Sequence, residues 1–170
     1  QVVLAGTPVG GSAFTVAANN FRYAHGYAKN GGNDTAQFVG SSESDRVKTY
    51  PELVKLMGAG YYCRAKFFET VRVDMAGGVD WAVVTGSDGS DVLWAMKDET
   101  RVAYDVDLAA DERPAFDTMT YDVTIAGCER VVARAKGADD WVELHDSALN
   151  DVFIAKPNKV KMMNGPRGGV

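Results

Sequence analysis

Cysteine and histidine are scarce in this chain, with two of each in 170 residues. His25 and His145 stand far apart, and no Cys/His spacing of a zinc site occurs. Long apolar runs are also missing. None approaches the ~20 residues needed to cross a bilayer, so no membrane span is expected. Basic charge is in deficit: 18 Lys and Arg face 23 Asp and Glu, for a net charge of −5. No stretch of sequence gathers the cations into a stripe, so a nucleic-acid backbone is not an expected partner. An initiating Met and a signal-like segment are absent, which points to a processed product or an excised piece.

What is present is a repeat, which has to be read before anything else. Asp34 is followed by Asp45, Asp80 by Asp91 and Asp140 by Asp151, each eleven positions on. Pro51-Glu-Leu-Val-Lys-Leu-Met57 matches Pro157-Asn-Lys-Val-Lys-Met-Met163, and Lys97 replaces the Pro in the worn middle copy. The chain therefore divides into a half unit over residues 1–20 and units over about 21–62, 63–122 and 123–165. The middle unit carries an acidic insertion at 104–122. Val3-Leu-Ala-Gly-Thr-Pro8 aligns with Val152-Phe-Ile-Ala-Lys-Pro157, so the chain opens midway through a unit and its two ends are expected to continue each other.

Within a unit the apolar period is two. Ala36/Phe38, Ala82/Val84 and Val142/Leu144 share one face, as do Val47/Thr49, Leu93/Ala95 and Phe153/Ala155. Alternation over about five residues, bounded by Gly, Asp, Asn and Ser, is the signal of a half-buried strand. The fold class is all-β, with four strands expected per unit. A β-solenoid or β-roll-like stack is favoured, because equivalent residues keep their type as they would when lying level in a stack. Antiparallel blades or a β-sandwich are the alternative, weakened because the connections do not show the tight two-residue hairpin turns that an up-and-down blade would use.

The paired acids have two readings. Asp closes turns by accepting backbone N–H groups nearby. Acidic turns at successive levels of a stack also make oxygen-lined calcium sites, which makes Asp34, Asp45, Asp80, Asp91, Asp140 and Asp151 candidate ligands. The segment from Gly137 to Phe153 resembles tandem Gly-Gly-x-Asp-x-Ala-x-Leu-x-Asp-Ser repeats of large bacterial secreted and surface proteins. The likeness covers most of the chain from Phe21 on. A more distant likeness is to the RTX nonapeptide family, whose Gly-Gly-x-Gly-x-Asp turns bind calcium in a parallel β-roll. This chain lacks the middle Gly and steps by eleven. The resemblance implies an extracellular or cell-surface, non-enzymatic array module, with calcium as the one ion to consider and no cofactor required.

Outward positions carry Trp81, Trp94 and Trp141, with Val92, Val152 and Ile154. Such a row suits burial within the chain, an interface with another subunit, or stacking against sugar rings of a polysaccharide. Cys63 and Cys128 form a candidate disulfide, with two free thiols as the alternative. Catalytic signals are weak. Ser147 beside His145 and Asp146 is adjacency rather than triad geometry, and Arg72, Asp74 and Arg134 are the nearest approach to a lyase-like cluster. The expected function is a filament or surface-array building unit, joined to copies of itself or adjoining repeats through open β-edges. In the simplest scheme, residues 2–5 of one copy extend the ladder left by residues 151–155 of the next. A glycan-binding module is the alternative, and a carbohydrate-active enzyme is less expected.

Overall fold

Short runs of alternating polarity do become strands, and no helix forms among the described residues. The structure is a computed structural model that describes residues 2–7, 14–108, 114–115, 120–137, 139–146, 151–157 and 159–164. The strands in chain order begin with β1 (Val2–Thr7), β2 (Phe14–Ala18), β3 (Tyr23–Tyr27) and β4 (Asn33–Val39). Next come β5 (Arg46–Tyr50), β6 (Leu53–Gly58), β7 (Tyr61–Lys66) and β8 (Thr70–Asp74). They are followed by β9 (Trp81–Thr85), β10 (Val92–Ala95), β11 (Glu99–Ala103) and β12 (Val123–Ala126). The last are β13 (Arg130–Arg134), β14 (Trp141–Leu144), β15 (Asp151–Lys156) and β16 (Lys159–Asn164).

They form two eight-stranded mixed sheets. The first runs β14-β10-β11-β12-β8-β4-β1-β2 and the second β15-β16-β13-β9-β5-β6-β7-β3. Parallel neighbours are β4 with β8, β8 with β12 and β10 with β14 in the first sheet, and β3 with β7, β5 with β9 and β9 with β13 in the second. Antiparallel hairpins such as β5-β6 and β15-β16 interrupt this parallel pairing. The hairpin signal that looked absent from the sequence is present in another form. Tyr50 pairs with Leu53 across Pro51 and Glu52, and Glu52 takes φ 57, the left-handed value that the second residue of a Pro-led tight turn requires. Because that position carries Glu rather than Gly, composition did not reveal it.

A single apolar cluster draws on both sheets, with Ala36, Phe38, Val73 and Ile125 from the first and Val47, Leu56, Ala65 and Ala82 from the second. Each is an alternate residue of its strand, so the inner face was legible from the period-two pattern. A second, smaller cluster lies on the outside of the first sheet. There Val106, Leu108 and Tyr121, at the two ends of the acidic insertion, pack on Val92, Trp94, Ala103 and Trp141. The insertion is thus anchored on the sheet by its own apolar residues. Asp122 fixes its base, its carboxylate accepting from Tyr104 N–H at 2.7 Å and its own N–H donating to Val102 O at 2.9 Å.

A sequence unit, counted from one leading Asp to the next, holds five strands: β4 to β8, then β9 to β13. The expectation of four is corrected. Strands that pair in parallel are four apart in chain order, so the strand beside a given strand is not its repeat equivalent. The equivalents β4, β9 and β14 fall in the first, second and first sheets in turn. Consecutive units therefore exchange sheets.

Candidate functional site

The repeated acids occupy the points where the chain passes from one sheet to the other. The expected column of Asp34, Asp80 and Asp140 does not exist, because Asp80 enters the second sheet and the other two enter the first. A different regularity joins neighbouring levels. Asp34 N–H donates to Glu69 Oε2 at 2.7 Å, and Asp45 N–H to Asp80 Oδ1 at 2.7 Å. Asp80 N–H donates to Glu129 Oε2 at 2.6 Å, and Asp91 N–H to Asp140 Oδ1 at 3.0 Å. In every rung, the amide at a crossover is received by the carboxylate at the crossover of the adjoining strand. Glu69 and Glu129 belong to this set and were missed in the sequence, although each lies eleven residues before a leading Asp.

Asp45 and Asp91 each also close a loop. In Gly40-Ser-Ser-Glu-Ser-Asp45 the carboxylate accepts Ser41 N–H at 2.6 Å and the Ser41 hydroxyl at 3.0 Å. Gly86-Ser-Asp-Gly-Ser-Asp91 repeats the arrangement, with Ser87 N–H at 2.6 Å and Ser87 Oγ at 2.7 Å. Each Ser hydroxyl in turn accepts an amide two residues on, from Glu43 and from Gly89. This is turn closure by side-chain acceptors, the first of the two readings of the acids.

The buried rungs carry an electrostatic load. Asp80 is fully buried, with its second oxygen, Oδ2, lacking a hydrogen-bond partner. Burial pushes its carboxyl above the usual range, the Asp45 amide pulls it back, and the charges of Glu129 and Asp45 push it up further. Burial raises Asp140 and Asp122 in the same direction. Among the described residues no three His, Cys, Asp or Glu side chains are placed together to hold a metal ion. The side chain of Asp151 lies outside the described residues. Because the Asp45 and Asp91 carboxylates are taken up by loop amides and hydroxyls, a chelator is expected to leave the melting temperature unchanged within about a degree. A fall of several degrees on adding EDTA would put a cation back at these turns.

The tryptophans do not form one row. Trp81 lies on the outside of the second sheet, between the guanidinium groups of Arg46 at 5.0 Å and Arg130 at 4.0 Å from its ring. Trp94 and Trp141 lie on the outside of the first sheet, packed with the residues of the insertion. Trp94 stacks on Tyr121 at 6.5 Å and meets His145 edge-on at 5.9 Å. Trp81 and Trp141 are repeat equivalents, and the exchange of sheets between units sends them to opposite faces. Val92 is buried beneath the insertion, while Val152 and Ile154 are exposed on β15 of the second sheet. A single aromatic platform for sugar rings is ruled out by this placement.

Cys63 and Cys128 are free thiols, so the disulfide is not formed. Cys63 is buried within β7, and Cys128 sits half-buried in the turn before β13. Burial, then the carboxylates of Asp80 and Glu129, push the Cys128 thiol up to about 12. It is protonated and unreactive at neutral pH. Arg72 and Asp74 lie on β8 of the first sheet and Arg134 on β13 of the second, so the lyase-like cluster is split. His145 bonds Glu143 at 2.9 Å, His25 packs edge-on to Tyr62, and Ser147 lies outside the described residues.

Sequence reading also missed a basic face. The outward positions of β5, β6, β7 and β13 carry Lys or Arg, and those of these strands and of β9 between them carry neither Asp nor Glu. The available signal was the alternation in Arg46-Val-Lys48 and Arg64-Ala-Lys66, which puts like charges on one side of a strand. No family model, curated protein or solved structure matches the chain.

Proposed function

We propose that the chain is a structural and assembly module, an extracellular building unit that stacks onto copies of itself or adjoining repeats through open strand edges. The observation that carries this reading is the set of amide-to-carboxylate rungs, which link each level to the next by the same interaction. A β-solenoid-like continuation of the stack follows if a further level adds at an edge by that rule. The strand offered for it is β14, which among the described residues is bonded only to β10. Residues 2–5 do not serve, because β1 is enclosed between β2 and β4. The head-to-tail scheme built on them is withdrawn.

The edge can be tested without disturbing the fold. Trp141 N–H and His145 N–H donate to Asp91 O and Ala95 O of the neighbouring chain segment, both at 2.8 Å. In a strand, alternate amides point to the same side, so those of Val142 and Leu144 point away from β10. Val142→Pro removes one outward donor, and proline is tolerated on an edge strand whose amide faces solvent. The variant is expected to shift the particle mass, measured by light scattering, from polymer to monomer. Its unfolding free energy should change by about 1 kcal/mol or less. A wild-type chain that stays monomeric at its highest soluble concentration, or polymers that survive the substitution, would refute the reading.

A further inference from the structure

The outer face of the second sheet, read strand by strand, is a set of rows perpendicular to the strands. In the central row His25 lies level with Arg64, Arg64 with Lys55, and Lys55 with Lys48, across four adjacent strands. A flanking row places Arg46 level with Trp81 and Trp81 level with Arg130. The other flanking row holds Lys66 and Arg134 at its two sides. Neighbouring strands are about 4.8 Å apart, so the cations of the central row stand closer together than an unassisted surface favours. Like charges directly opposite each other on adjacent strands destabilise a sheet.

Among the described residues no ion pair neutralises this face. The described ion pairs are Lys97–Asp98, Arg101–Glu99, Lys136–Asp88 and His145–Glu143, all elsewhere. Several of the cations lie instead on aromatic rings, which hold them in place without cancelling their charge. Arg46 and Arg130 cover Trp81, Lys55 lies 5.2 Å from the Tyr50 ring, and Arg64 lies 5.2 Å from Tyr27 and donates to its hydroxyl. In a chain of net charge −5, a sheet face holding only cations is a local reversal of sign. It carries a repulsive cost in the free protein that an anionic ligand would remove.

We propose that this face binds an acidic polysaccharide, with Lys48, Lys55 and Arg64 holding successive carboxylate or sulfate groups along an extended chain. The close, regular spacing of cations across the strands fits a polymer that carries charge on every sugar residue. A single-stranded nucleic acid fits less well, because its bases need open rings on which to stack. Here the rings among the cations are occupied by them, Tyr23 at the β3 rim is itself covered by Arg22, and an exposed ring such as Phe21 lies beyond that rim, before β3. The site is separate from the β14 edge, so it stands or falls independently of the assembly reading.

The test is binding of the full chain to polygalacturonate and to dextran sulfate by calorimetry over a salt series, with neutral dextran, oligo(dT) of equal charge and anionic phospholipid vesicles as comparisons. Binding to one or both acidic polysaccharides is expected, weakening steeply with salt, with none to neutral dextran. Removing the central row (Lys48→Gln, Lys55→Gln and Arg64→Gln together) should weaken it about 100-fold at low salt and flatten the salt dependence. Arg130→Gln with Arg134→Gln, on the far side of the face, should weaken it by a smaller factor and supplies a second folded variant. Arg72→Gln, on the other sheet, should leave it unchanged. Failure to bind either polysaccharide, binding that survives both sets of substitutions, or tighter binding to oligo(dT) or vesicles would overturn the assignment.

Discussion

Asp80→Ala is expected to lower the unfolding free energy by about 1–3 kcal/mol, measured by urea denaturation at neutral pH, the usual cost of orphaning a buried donor. Asp80 Oδ1 receives the Asp45 amide, and both residues are buried, so alanine leaves that N–H without an acceptor. Asp80→Asn separates the hydrogen bond from the charge. Its amide oxygen keeps the Asp45 contact while its amide nitrogen offers a donor toward Glu129, whose carboxylate already receives Asp80 N–H. The pH dependence distinguishes the two effects. Burial, with the charges of Glu129 and Asp45, raises the folded-state pKa of Asp80 above its unfolded value. The folded protein then holds this proton more tightly than the unfolded chain. The associated stability is fully present below the unfolded carboxyl value, near pH 4, and is lost as pH rises through the raised folded value. Asn abolishes that decline for this group. The variant's stability should fall less between pH 4 and neutrality than that of the wild type, with the residual slope supplied by Asp122 and Asp140. An unchanged slope would mean that Asp80 does not carry the load assigned to it.

Gly40→Ala is expected to cost about 2–4 kcal/mol, as overpacking at a rigid contact does. A Cβ there would lie 2.7 Å from Asp45 Oδ2 and 2.8 Å from Met75 O. The first contact could be relieved only by displacing the carboxylate that closes the loop. The second is backbone at the end of β8, beside the 2.7 Å bond from Gly40 N–H to Asp74 O. Gly77→Ala is the internal control, since a Cβ there meets nothing within 4 Å, and its effect should stay within about 0.5 kcal/mol. Equal effects at the two positions would show that the crossover loop adapts, and that the tight approach to Asp45 is not what fixes its geometry.

Much of the local structure was written in neighbouring residues. The runs carrying Ala36/Phe38, Val47/Thr49 and Ala82/Val84 were expected as strands, and they lie in β4, β5 and β9. Phe38, Val47, Leu93 and Val84 fell on the inner face because a strand's side chains alternate, a rule that needs no knowledge of partners. The strands β3, β7 and β12 were not marked. In β3 and β7 the inward positions hold only small residues (Ala24 and Gly26, Cys63 and Ala65), so the apolar alternation that identified the others is faint. The glycan row failed for another reason. Trp81 and Trp141 share a sequence position, but equivalence in sequence is not adjacency in space when the pairing step is four strands and the repeat is five.

By itself, the sequence determined that the chain is all-β, that one motif recurs along it, and that its repeated Asp residues stand where strands meet turns, with turn closure as one of two readings. Each of those properties depends on residues within a few positions of one another. Only the tertiary structure decided which sheet each strand joins, and with it the rungs from Asp45 to Asp80 and Asp91 to Asp140, the separation of the tryptophans and the gathering of Lys48, Lys55 and Arg64 on one face. Those depend on hydrogen bonds between strands far apart along the chain, and the period-two pattern that marks the buried side of a strand carries no label for its partner.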